Sequence, residues 1–143
     1  MPDTARTLRA AAYNLTYFGL WTGANFALDG GGLSITAAIY RAVTGATPNA
    51  FLDDENTSLR LIHANTHVMD AVAFLSSCLD TQPPSDQATA LPDHIEHIER
   101  YAAEPPPGAT QPPTASEVIG RILRAANTAD TLAGRLPRLR LTA

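Results

Sequence analysis

All four histidines of this chain fall into two helix-spaced pairs, His63-x3-His67 and His94-x2-His97. Imidazole is the commonest metal ligand and the usual acid or base of neutral pH, so these pairs are the first place to look for chemistry. On one helix, His63, His67, Asp70 and Phe74 recur at steps of 4, 3 and 4 and share a stripe. Two imidazoles and a carboxylate on one stripe form a donor set that zinc, iron or manganese accepts. His94 and His97 open a later helix, where the positive dipole end favours the neutral, metal-binding imidazole. If that helix folds back on the stripe, His63, His67, Asp70, His94 and His97 converge as ligands. The plainer reading, an exposed polar face and two partly packed histidines, is favoured, because Ala64 after His63 breaks the His-Glu-x-x-His signature.

Aromatic residues are the second concentration. Tyr13, Tyr17, Phe18, Trp21 and Phe26 are five of nine aromatics, within fourteen residues. They either build a second layer of core or form a contact surface, for which Tyr13, Tyr17 and Trp21 are the candidates. Asp29-Gly30-Gly31-Gly32 precedes a helix but lacks the dinucleotide fingerprint and any lysine, so a tight connection explains it better than an anion site. Thr36 stands where a nucleophile elbow needs its last glycine, leaving Ser34 as a helix cap. Cys78, flanked by apolar residues, reads as a small buried hydrophobe. Glu96, Glu99 and Glu104 read as a solvated helix face, and no catalytic carboxylate pair is specified.

Composition narrows the remaining classes. The chain's 143 residues suit one domain, expected over 1–134, with a basic and apolar tail at 135–143. One cysteine excludes an internal disulfide, and every basic residue is arginine, which removes Schiff-base lysine chemistry. A net charge of −4 disfavours a broad nucleic-acid surface. The start, Met1-Pro2-Asp3, lacks a secretory pattern and no stretch is apolar enough to span a bilayer, so a cytoplasmic protein without membrane contact is expected.

Periodicity supplies the elements that position these groups. Asp3 caps a first helix with Leu8, Ala11, Ala12, Leu15 and Phe18 on one face. Gly19 to Gly32 interrupts it as a turn or an irregular hairpin. Ser34 and Gly45 bound a second helix, and Pro48 to Asp54 reads as a loop. A long third helix is expected from about Glu55 to Leu79, with Leu61, Val68, Val72, Leu75 and Leu79 inward. Pro92 or Asp93 opens a short fourth helix. Glu104 to Pro113 holds five prolines, which restrict φ and hold it extended. Thr114-x-x-Glu117 is a capping box that starts the fifth helix, with Val118, Ile119, Ile122, Leu123 and Ala126 inward. The expected fold class is all-α, a compact bundle of about five helices with proline-rich loops.

With the segments in place, the chain resembles a family of small, uncharacterised actinobacterial proteins known as a domain of unknown function. The resemblance lies in Gly19-Leu20-Trp21-Thr22-Gly23, in the run from Leu33 to Gly45, in Leu79-Asp80-Thr81-Gln82-Pro83-Pro84, and in Pro112 to Arg121. It implies a compact helical protein of bacterial cytoplasm and supplies no activity, cofactor or catalytic residue.

The preferred expectation is therefore a non-enzymatic helical interaction or regulatory module, self-associating or binding a protein partner, without a cofactor. The alternative is a protein or enzyme binding a divalent metal such as zinc through the histidines. A third reading is a small-molecule binder with its pocket beside Trp21. A DNA-associated regulator using Arg135, Arg138 and Arg140 is least favoured, given the acidic net charge.

Overall fold

Local capping explains where most helices begin. In the computed structural model, which describes residues 3–134, the Asp3 carboxylate accepts from the Arg6 N–H at 2.7 Å and opens α1 (Thr4–Phe18). Leu8, Ala11, Ala12 and Leu15 are its buried face, as the periodicity requires. The chain then reverses in an irregular antiparallel hairpin, β1 (Ala27–Leu28) and β2 (Gly31–Leu33). Gly30 sits at φ +87, a conformation that a side chain resists, which accounts for the glycine run as a turn. Two further bonds tie the intervening loop to β2: Trp21 N–H donates to Leu33 O, and Leu33 N–H to Gly19 O.

The Ser34 hydroxyl accepts from the Ala37 N–H and starts α2 (Ile35–Thr44), which Gly45 ends in the left-handed region. The expected loop from Pro48 to Asp54 instead contains a single turn, α3 (Ala50–Asp53), which drives Phe51 fully into the core. The expected single helix from Glu55 to Leu79 is two: α4 (Glu55–His63) and α5 (Thr66–Ser77). Asn65 leaves the helical conformation, and its side chain accepts from the Val68 N–H at 3.1 Å, restarting the chain as a new helix. After the segment containing Pro83 and Pro84, Asp93 caps α6 (His94–Ala103), and the Thr114/Glu117 capping box opens α7 (Ala115–Leu132) with both reciprocal bonds formed.

The described residues thus hold seven helices and one small two-stranded sheet, a largely helical architecture. α1 lies between α2 and α7, α5 packs on α6, and α2 touches both α5 and α6. One buried cluster joins them, with Leu8, Ile39, Phe51, Ile62, Ile98 and Ile122 among its enclosed side chains. Burying each such side chain contributes about 1.5–3 kcal/mol, enough in sum to hold short helices that would not persist alone. Leu123 departs from expectation. It is 41% exposed, because α7 meets α1 through Val118, Ile122, Ala125, Ala126 and Ala129, a narrower stripe that leaves Leu123 at its edge. The tail at 135–143, with Arg135, Arg138 and Arg140, lies outside the described residues. No described helix is long and apolar enough to cross a membrane.

Candidate functional site

The two histidine pairs do not meet. The interruption at Ala64–Asn65 puts His63 at the end of α4 and His67 and Asp70 on α5, so the continuous stripe expected of one helix is broken. His63 and Asp70 are exposed, and Phe74 from the same expected stripe is partly buried. Among the described residues, no three His, Cys, Asp or Glu side chains gather as a metal-binding group.

His94 and His97 instead converge on a hydroxyl. Ser76, buried near the end of α5, places its Oγ 2.6 Å from His97 Nδ1 and 2.8 Å from His94 Nδ1. The far nitrogen of His97, Nε2, lies 2.7 Å from Thr81 Oγ1 in the loop that follows. The result is a continuous hydrogen-bonded row, Thr81–His97–Ser76–His94. Burial, and then the neighbouring His94, push the His97 pKa below its ordinary value, so its imidazole is neutral at pH 7. Thr81 and His97 border an open cavity of about 500 Å³, walled by Pro84, Tyr101 and Pro105 to Pro107, with Arg100 and Glu104 on its rim.

A second polar group lies on another side of α6. Glu99 Oε2 accepts from the Thr36 N–H at 3.0 Å and from the Thr36 hydroxyl at 2.8 Å, at the opening turn of α2. These bonds and the Ser34 hydroxyl favour the carboxylate. Burial outweighs them, and with a smaller contribution from Glu96 raises the Glu99 pKa to about 7. Glu99 is therefore not part of a solvated face. The N-terminus of α2 and the loop from Trp21 to Phe26 enclose its carboxyl, although part of the side chain borders clefts of about 350 and 310 Å³.

Trp21 walls the larger cleft. Its indole N–H donates to Ala24 O at 3.0 Å, and its ring occupies the space where a side chain at Gly23 would stand. The expected trio of Tyr13, Tyr17 and Trp21 therefore divides: the tyrosines stand on the outer face of α1, and no ring contact joins Trp21 to them. Tyr13 and Tyr17 are 67% and 70% exposed, yet their rings lie parallel within 11°, with centroids 6.3 Å apart. Tyr17 meets Phe18 edge-on at 4.8 Å, and the Arg41 guanidinium lies 4.7 Å above the Phe18 ring. Cys78 is partly buried against the core.

Ser76, Thr81, Thr36 and the enclosure of Glu99 escape sequence reasoning. One signal was present: residues 94 to 99 repeat the triplet His-Ile-Glu, a pattern unusual for a helix with one wet face. Comparisons with protein-family models, with curated proteins and with solved structures find no match to the chain.

Proposed function

We propose that this protein is a helical interaction module that pairs with a second copy of itself through the outer face of α1. The observation that carries the reading is the exposed, mutually stacked pair Tyr13 and Tyr17 on α1. Tyrosines are enriched where proteins meet, since each brings a large apolar face and loses few rotamers on burial. Holding two rings parallel in water, backed by Phe18 and Arg41, removes part of the ordering cost that association otherwise carries. An antiparallel crossing of two α1 helices about the point between residues 13 and 17 sets each Tyr13 against the other copy's Tyr17, the self-complementary contact that a twofold dimer needs. The proposal includes a cytoplasmic, regulatory setting and kinship with the small actinobacterial family that the sequence resembles.

Sedimentation velocity of the full chain over a concentration series tests it. The expected result is a concentration-dependent dimer that Tyr13→Ala/Tyr17→Ala returns to monomer with helical content unchanged. A monomer throughout the series, or a dimer that survives the double substitution, overturns it.

A further inference from the structure

We propose that the Thr81–His97 pair is a nucleophile and its general base, forming an acyl-transfer site that opens into the proline-walled cavity and accepts small esters with a short apolar acyl group. This activity stands apart from pairing through α1 and survives if that reading fails.

The geometry supplies the parts that nucleophilic catalysis on a hydroxyl requires: a hydroxyl within hydrogen-bond reach of a base, and a third group orienting that base. Thr81 Oγ1 lies 2.7 Å from His97 Nε2, and His97 Nδ1 lies 2.6 Å from Ser76 Oγ. The row admits two proton orders, and the proposal takes the one that leaves His97 Nε2 as an acceptor. In that order Thr81 O–H donates to His97 Nε2, His97 Nδ1–H donates to Ser76 Oγ, and Ser76 O–H donates to His94 Nδ1. It turns the base nitrogen of His97 toward the exposed hydroxyl rather than the core. Ser76 and His94 are positioning residues that orient the His97 ring. Burial and His94 keep His97 unprotonated near neutral pH, the form a base must have.

The cavity argues for the substrate class. Prolines and the Tyr101 ring give an apolar wall for a short acyl chain, and Arg100, which also pairs with Glu96 at 3.3 Å, borders the same space and can turn its positive charge toward a developing oxyanion. In the reaction, Thr81 Oγ1 bonds to the ester carbon, the carbonyl electron pair moves onto oxygen, and the Thr81 proton passes to His97 Nε2. Collapse of the intermediate restores the carbonyl, breaks the bond to the leaving alkoxide, and returns the proton to it from His97. Water, deprotonated by the same nitrogen, then attacks acyl-Thr81, releasing a carboxylic acid and restoring the Thr81 hydroxyl.

The experiment uses the full chain and p-nitrophenyl acetate, following p-nitrophenolate release and the site of acetylation by peptide mass spectrometry. The chain has no lysine, which removes the usual competing site for this reagent. The expected result is a single acetyl group on Thr81, absent in Thr81→Val and retained in Thr81→Ser. His97→Gln should slow acylation about 100-fold. Should His97→Gln fail to fold, the exposed Thr81 variants and the pH profile decide. The titratable and charged groups facing His97 are His94 on its own helix, with Arg100, Tyr101 and Glu104 around the cavity. His94→Gln removes the neighbour that helps depress the His97 pKa and should therefore move the acylation midpoint to higher pH, a shift that a purely structural His94 would not produce. Acetylation elsewhere, no adduct at Thr81, or equal phenolate release from Thr81→Val overturns the proposal.

Discussion

Glu99→Gln should make the protein more stable at pH 8, although it removes a carboxylate bonded to a helix N-terminus. Two effects compete at this carboxyl. The Thr36 N–H and hydroxyl, the Ser34 hydroxyl and the positive end of α2 all favour the charged form. Enclosure beneath the Trp21 to Phe26 loop disfavours it and prevails, raising the pKa from its ordinary 4.5 to about 7. A group whose folded pKa is raised binds its proton more tightly in the folded state. Its stabilisation is complete below pH 4.5 and is lost as pH rises through 7. At ~1.4 kcal/mol per pH unit, ionising Glu99 in place costs about 3 kcal/mol by pH 8.

Glutamine keeps the oxygen that accepts both Thr36 bonds and cannot ionise, so the variant should match the parent near pH 4.5 and exceed it by about 3 kcal/mol at pH 8. Urea unfolding followed by circular dichroism at intervals from pH 4.5 to 8 measures the difference. His97 acts in the opposite sense. Its depressed pKa gives stability that is present above the ordinary histidine value and lost as pH falls through the folded one. That contribution is common to both proteins and cancels between them. Parallel pH profiles, or a weaker variant at pH 8, would show that the α2 N-terminus outweighs burial and would refute the reasoning.

Two further perturbations probe the local architecture. Asn65→Ala removes the cap that restarts the chain after α4 and should cost about 1 kcal/mol in urea unfolding, whereas a neutral result would mean that packing alone sets the break. Gly23→Ala places a methyl group in the space of the Trp21 ring; it should displace the indole from the cleft wall at a cost of about 1–3 kcal/mol. The protein's only tryptophan then reports the change as an altered emission maximum, and an unchanged spectrum would count against the packing described.

What was legible in the sequence was local. Asp3, Ser34, Asp93 and Thr114 each bond to a backbone group three residues away, so their capping roles can be read without knowing the rest of the fold. Asn65 uses the same device but sits inside a continuous apolar pattern, and periodicity overrode its capping chemistry. Glu99 was illegible for a different reason. Its partner Thr36 is 63 residues distant, and a charged side chain in a sequence carries no mark of being covered. Ser76 likewise gains its role only when α5 and α6 pack, although both histidines that meet it were visible as a pair.

The triplet repeat explains why the histidines of α6 meet a hydroxyl on a neighbouring helix. Three residues of an α-helix advance about 300°, so a triplet falls about 60° short of a full turn and each residue type drifts slowly around the axis. Over residues 94 to 103 this drift sorts α6 into three stripes. Ile95, Ile98 and Ala102 enter the core, Glu96 and Glu99 border the clefts beneath Trp21, and His94, His97 and Tyr101 occupy the remaining packed side. The buried isoleucines fix the rotation of the helix, since turning either of them into water would forfeit the burial that seats α6. Once that rotation is set, His94 and His97 must face Ser76, and Glu99 must face Thr36. Arg100 is left on the open side, where it pairs with Glu96 at 3.3 Å. The apolar seam of Ile95, Ile98 and Ala102 therefore sets the surroundings of His97 and Glu99 alike, which gives both the neutral imidazole and the high-pKa carboxyl a single structural cause.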